Sequence, residues 1–315
     1  MKTNISLILI LCLLLGACKN GNASSQNKSE TSQDTIKAIK MPAIPQMMTA
    51  PEQRADFLAK HYWDNVNFAD TNYIHHPEVT EQAWADYCDL LNHVPLETAQ
   101  QAMRNVIDRT NVDKKVFTYI TDLADKYLYD PNSPMRNEEF YIPVLEAMIA
   151  SPVLNETEKI RPQARLKLAQ KNRIGTKALN FTYTLASGAQ GSLYQLKAEY
   201  LLLFINNPGC QACTETIEGL KNAPIINQLL QEKKLVLLSI YPDEELDEWK
   251  KHLSEFPNEW INGYDKKFTI KEEQVYDLKA IPTLYLLDKD KTVLLKDATA
   301  PAVLPWIWLT TISIN

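Results

Sequence analysis

Cysteine, basic charge and long apolar runs are all in short supply in this sequence. Five cysteines stand among 315 residues, at positions 12, 18, 88, 210 and 213. Beyond the first two, which fall in the amino-terminal segment, Cys88, Cys210 and Cys213 remain. An odd count argues against a disulfide framework and for one working pair plus one buried thiol. Lys and Arg number 33 against 39 Asp and Glu, a formal net charge of −6. A nucleic-acid binder would show a basic stripe, so no nucleic-acid partner is expected. The apolar run from Ile5 to Leu15 is too short for a permanent span: at ~1.5 Å per residue it falls well below a hydrocarbon core of ~30 Å. No strict repeat emerges, which excludes a solenoid. A hydrophobic content of 45% is that of a globular chain, long enough for two domains.

What is present begins with an export signal. Met1-Lys2-Thr3-Asn4, the apolar run and Leu15-Gly16-Ala17-Cys18 follow the order basic region, apolar region, small residues. Leu-Gly-Ala-Cys looks like a bacterial lipobox, in which residues 1–17 are removed and Cys18 carries the lipid. Cys12 is lost with the signal. The alternative is an ordinary cleaved signal beside a coincidental cysteine. Lys19 is not the Asp associated with inner-membrane retention. The expected location is therefore the cell envelope of a Gram-negative bacterium, at the periplasmic face of the outer membrane. Residues 18–50 are rich in Ser, Asn, Gln, Lys and Thr and end among Pro42, Pro45 and Pro51. Such a composition buries too little apolar surface to fold and reads as a flexible tether.

Residues 51–172 read as an all-α module of six helices. Val79, Ala83, Trp84, Tyr87, Cys88 and Leu91 recur at three- and four-residue steps, as do Val116, Ile120, Leu123 and Tyr127. Pro51, Pro77 and Pro95 stand ahead of helical runs, where proline is tolerated. From residue 173 to 315 the period changes. Residues 181–194 read as a hairpin around Ser187-Gly188. Tyr200–Ile205 is a continuous apolar run, the pattern of a strand buried on both faces. A helix from Cys210, a strand at Leu235–Tyr241, a helix over 244–256 and a short helix near 271–278 follow. Strands at 283–287 and 293–295 and an apolar segment with Trp306 and Trp308 close the chain. The order predicts an α/β domain with a mixed central sheet flanked by helices.

Cys210-Gln211-Ala212-Cys213 carries the chemistry. Asn206-Asn207-Pro208-Gly209 breaks the strand and delivers Cys210 to a helix start, where unpaired N–H groups and the dipole favour a thiolate. Cys210 is the expected nucleophile. Cys213, one turn deeper, is placed to resolve a mixed disulfide. Ile281-Pro282-Thr283 precedes an apolar strand. A cis peptide there would set a backbone N–H and C=O beside the pair, so that substrate lies extended against Ile281 and Thr283. Neutral Gln211-Ala212 lacks the cation that drives such couples toward oxidation, so a potential of roughly −200 to −270 mV is expected. A CxxC can also be half a zinc site, but this half of the chain offers only His252 besides. A permanently closed disulfide and an inactive binding fold stay open. No cofactor beyond the cysteine pair is expected.

From about residue 174 onward the chain resembles the membrane-tethered thioredoxins of the TlpA type. The resemblance rests on the hairpin at 180–196, on 204–213, and most specifically on Tyr276-Asp277-Leu278-Lys279-Ala280-Ile281-Pro282-Thr283-Leu284-Tyr285-Leu286-Leu287-Asp288. The helical half resembles the domain of unknown function that precedes thioredoxin domains in Bacteroidetes-type lipoproteins, through His61-Tyr62-Trp63-Asp64 and the stretch from Tyr129 to Asn137. The resemblance implies a thiol–disulfide oxidoreductase, with Cys210 and Cys213 exchanging and Pro282 as the cis proline. Its partners would be disulfide-containing exported proteins and an electron-donor thiol protein. It implies no role for the helical half. A non-catalytic lipoprotein that binds a partner through the helical half is the rival. Two departures stand out. Gly209 occupies the place of an aromatic residue, and Phe204 that of a buried Asp that moves the resolving thiol's proton. Glu199 and Glu215 are substitutes by sequence proximity only, so slow turnover or a partner's base is expected.

The remaining polar and aromatic features read as structure. His61, His75, His76 and His93 match no ligand spacing. Cys88 shares a face with Trp84 and Leu91 and reads as an inert thiol. Tyr62, Trp63, Trp84, Tyr127 and Tyr129 line either a core or a peptide groove. The carboxylates at 243–248 suit a helix's first turn.

Overall fold

The structure is a computed structural model that describes residues 38–312. The signal segment, Cys18 and most of the tether lie outside the described residues. From Ala38 onward the chain already lies on the helical region. Ile39 packs against that region's core, and Asn65 Nδ2 donates to the Lys40 carbonyl at 3.0 Å. With the Arg54 guanidinium donating to the Met48 carbonyl at 3.3 Å, these contacts hold the final part of the expected tether.

Six α-helices follow: α1 (Pro51–His61), α2 (Pro77–Leu91), α3 (Leu96–Arg109), α4 (Lys114–Ala124), α5 (Glu138–Ala150) and α6 (Glu156–Ala169). Pro51 and Pro77 open their helices, where the missing N–H costs nothing. Asp113 and Asn137 cap α4 and α5, and Asn155 with Glu158 forms a capping box on α6. The periodic apolar positions meet in one core. Trp84, Tyr87, Met103, Ile107, Phe117 and Tyr141 are all fully buried in it. Tyr62, Trp63, Trp84 and Tyr87 pack ring against ring at centroid separations of 5.2–6.2 Å. These aromatics therefore form core, and Tyr127 and Tyr129 pack half-buried at its margin.

The second half is a seven-stranded mixed sheet, β1 (Thr182–Leu185), β2 (Gln190–Ser192), β3 (Tyr200–Ile205), β4 (Leu235–Tyr241), β5 (Ile261–Tyr264), β6 (Thr283–Asp288) and β7 (Val293–Ala298). Their order is β2-β1-β5-β4-β3-β6-β7. The pairs β3–β4 and β4–β5 are parallel and the others antiparallel. Helices α7 (Gln211–Lys221), α8 (Pro224–Gln231), α9 (Leu246–Lys251), α10 (Thr269–Glu272) and α11 (Ala300–Ile312) complete it. Every residue of β3 is buried, and alternation explains why all six are apolar. Tyr200, Leu202 and Phe204 pack with Ile217, Leu220, Ile226 and Val303 on one face. Leu201, Leu203 and Ile205 meet Phe181, Tyr276 and Tyr285 on the other. At about 1.5–3 kcal/mol for each large apolar side chain taken from water, this strand anchors the domain.

Sequence and structure differ in detail. The helix expected over 244–256 ends at Lys251 and continues as a single 3-10 turn, Leu253–Glu255. Only Thr269–Glu272 of the region around 271–278 is helical; Tyr276 instead buries its ring against Tyr285. α8 and β5 were not anticipated.

Both halves belong to one compact unit, Ile36–Asn315. Their contact is charged. Glu138, at the start of α5, pairs with Lys296 of β7, and lies 3.7 Å from Lys279 Nζ. Lys279 also holds Asp277 at 2.8 Å and Asp297 at 2.9 Å, and Arg136 reaches Asp297 at 3.5 Å. Burial lifts the Glu138 carboxyl above its ordinary range against the pull of the two lysines. Burial works against the Lys279 ammonium, yet Asp297, Asp277 and Glu138 together hold its pKa high.

Candidate active site

The site forms where two chain ends of the sheet meet. Ile205, the last residue of β3, pairs with Thr283, the first of β6. The segment leaving β3 and the segment entering β6 are therefore adjacent whatever their side chains. Asn206 secures the first, donating to Ser239 Oγ at 2.8 Å and to the Phe204 carbonyl. Gly209 then takes φ +70°, a left-handed conformation that a side chain would strain. The chain turns there into α7.

Cys210 is the N-cap of α7. The Cys213 N–H donates to its sulfur at 3.3 Å, satisfying one of the helix's orphan donors. The Cys210 thiol in turn lies 3.9 Å from the Ile281 carbonyl. The Ile281–Pro282 peptide is cis. Cys210 is part-exposed and Cys213 is buried, and both are free thiols. Burial, followed by the bond to Cys210, pushes the Cys213 thiol up to about 12; the Asn207 backbone N–H pulls the other way. Such a thiol is almost wholly protonated near neutrality.

The other expected residues divide. Ile281 faces the dithiol through its carbonyl and Pro282 follows it. Thr283 is turned inward, its hydroxyl donated to Asp297 at 2.8 Å, so its side chain serves the sheet. Phe204 is fully buried, edge-on to Trp260 with centroids 6.4 Å apart. Glu199 precedes β3, at the end of the strand away from Cys210. Glu215 is exposed and accepts from Gln211 at 2.9 Å. Neither carboxylate lines the surroundings of Cys213.

Those surroundings come from Asn207 and from the stretch after β4, to which the sequence assigns no part in the dithiol's chemistry. Cys213 shares a small cavity with Asn207, Trp249, His252, Glu255 and Phe256. His252 Nδ1 pairs with Glu255 Oε1 at 2.6 Å and Nε2 with Glu248 Oε1 at 3.1 Å. These bonds raise the pKa of the imidazole. His252 lies far from Cys213 in sequence, and only the return of the chain after β4 brings them together. The acidic run at 243–248 also does more than suit a helix dipole. Asp243 accepts from Asn207 at 3.2 Å and pairs with Lys271 at 2.8 Å. Among the described residues, no group of His, Cys, Asp and Glu is clustered to hold a metal.

Residues 198–293 match the family described as thioredoxin-like, and residues 17–172 match a domain of unknown function, DUF5106. The chain is 82% identical to a thioredoxin-like protein from Bacteroides caccae of known crystal structure. That match covers 87% of this chain and 99% of the other, at a TM-score of 0.85. This chain belongs to that thioredoxin-like family. The chain also aligns with the C-terminal domain of an uncharacterized protein from Bacteroides fragilis, at 68% identity over 44% of this chain and 98% of that one (TM-score 0.43). It aligns too with the thioredoxin domain of a thiol-disulfide oxidoreductase from Bacteroides vulgatus, at 20% identity over 44% and 97% (TM-score 0.40). No curated protein matches the chain.

Proposed function

We propose that this thioredoxin-like protein is an exported, lipid-anchored thiol–disulfide oxidoreductase that reduces or isomerises disulfides of periplasmic proteins. The observation that carries the reading is the asymmetry of the dithiol. Cys210 stands part-exposed at the open end of α7, 3.9 Å from the Ile281 carbonyl, while Cys213 is buried behind it. A client disulfide would reach Cys210 first, with the client chain extended along Ile281. Cys210 attacks one client sulfur and forms a mixed disulfide. Cys213 then attacks Cys210, closing the internal bond and releasing the client thiol, with two electrons transferred. An electron-donor thiol protein reopens the pair. The lipobox-like Leu15-Gly16-Ala17-Cys18 supports attachment through Cys18 to the outer membrane's periplasmic face. TlpA-type function is carried by the same residues: Cys210, Cys213 and Pro282.

A scaffold reading, in which the helical half binds a partner and exchange is lost, draws on Phe204 in place of the buried Asp. Reduction of insulin by the whole protein with dithiothreitol decides between them. The wild type should accelerate precipitation, Cys210→Ser should lose at least about a hundredfold of that rate, and Cys213→Ser should accumulate mixed disulfides with clients. Equal rates for wild type and Cys210→Ser would leave only the scaffold.

A further inference from the structure

Closing the internal disulfide requires the Cys213 thiol to lose a proton, and Cys213 is 2% exposed. Bulk water therefore has little access to it to take that proton. The cavity it shares with Asn207, Trp249, His252, Glu255 and Phe256 has a volume of about 10 Å³, the room one water molecule needs. Its walls are not wholly apolar. Asn207 Oδ1 is buried without a hydrogen-bond partner, and its amide is fixed by the bond from Nδ2 to Asp243. A buried acceptor left unpaired is costly, and a water in the cavity would satisfy it. Beyond the cavity, Glu255 is 43% exposed at its side chain, so it touches both the cavity and solvent.

We propose that a single water held by Asn207 Oδ1 carries the Cys213 proton to Glu255, which His252 positions, in place of the missing buried carboxylate. The proposal rests on the exchange chemistry above and adds the proton's route. In the mixed disulfide, Cys213 passes its proton to the water, and the water passes one to the Glu255 carboxylate. The Cys213 thiolate attacks Cys210 Sγ, the Cys210–Cys213 bond forms, and the bond from Cys210 to the client sulfur breaks. The client leaves as a thiolate and takes a proton from solvent, while Glu255 returns its own to solvent. His252 is a positioning residue: Nδ1 holds Glu255 and Nε2 is tied to Glu248. The charged and titratable groups around the route are Cys210 on α7, Asp243 with Lys271 behind Asn207, and Glu248, His252 and Glu255 on the α9 side. Burial raises the Cys213 pKa, which makes an acceptor worth having near neutrality, where the thiol is protonated.

The test is single-turnover reaction of the reduced whole chain with 5,5′-dithiobis(2-nitrobenzoate). The first thionitrobenzoate released reports attack by Cys210 and the second reports resolution by Cys213. Glu255→Gln should slow the second phase about tenfold near pH 7 while leaving the first within about twofold. His252→Gln should do the same to a smaller degree. Both deficits should close as the pH approaches ~10, where hydroxide takes the proton directly. Glu255→Asp should restore part of the rate. A second phase unchanged in Glu255→Gln, or slowed equally at every pH, overturns the proton route while the exchange reading stands. No first phase in the wild type overturns the exchange reading and this proposal with it.

Discussion

Cys88 and Cys213 are equally hidden, each 2% exposed, yet their surroundings differ in every respect that matters to chemistry. Cys88 sits in the helical core beside Trp84, Tyr87 and Leu91, and burial alone pushes its thiol far above the ordinary range. Among the described residues, the other two cysteines lie together in the thioredoxin-like half, away from it. Cys213 has Cys210 one turn away, bonded to its own N–H, and on its other flank a small cavity that Asn207, His252 and Glu255 help to line. Burial therefore does not decide whether a thiol is inert. On the proposed reading, a second sulfur within reach and an outlet for the proton do.

The comparison can be broken most directly by counting thiols. Treated in the native state with a small aromatic disulfide, then unfolded and alkylated, the protein should retain Cys88 as the one reactive thiol of the three described. Cys210 and Cys213 should be consumed as a pair. Iodoacetamide on the native reduced protein should label Cys210 at least about a thousandfold faster than Cys88, whose exposure awaits unfolding. Mass spectrometry of the peptides reads both outcomes. Comparable labelling of Cys88 and Cys210 would erase the distinction drawn between the two regions.

A smaller effect sharpens the same contrast on the Cys213 flank. His252, bonded to Glu255 and Glu248, has its pKa raised, so it should titrate above the ordinary value of about 6.5. Because the folded value is the higher one, its contribution to stability is complete below that ordinary value. The contribution is lost as the pH rises through the folded value. Glu255→Gln should bring the titration back down, as followed by the imidazole proton resonances. An unshifted His252 in the wild type would remove the support assigned to Glu255.

Much of this architecture could be read from residue order. Steps of three and four from Val79 to Leu91 locate a helix because one face must meet the core. The unbroken run Tyr200–Ile205 reveals a central strand because both sheet faces are covered. β5 was invisible because Ile-Asn-Gly-Tyr carries turn residues; its pairing with β4 and β1 overrides them. α8 follows α7 after only Asn222 and Ala223 and blurred into it. The dithiol and Ile281-Pro282 were legible because their chemistry resides in local spacing and in one distant motif. The sequence expects Thr283 to position substrate through the backbone beside the pair; that its hydroxyl is given to Asp297 could not be read there. The cavity behind Cys213 could not be read at all, since its walls come from segments joined only by the path of the chain after β4. The same holds for the cluster of Glu138, Lys279, Lys296 and Asp297, whose members come from both halves of the chain.

Equilibration of the reduced protein in glutathione buffers of graded potential, followed by acid quench and mass measurement of the peptides holding Cys210 and Cys213, addresses the central claim. The pair should pass cooperatively between dithiol and disulfide, with a midpoint of roughly −200 to −270 mV, while Cys88 stays reduced throughout. A pair that keeps one state across the whole series, or a midpoint near about −120 mV, would contradict the account of a reducing dithiol poised at the end of α7.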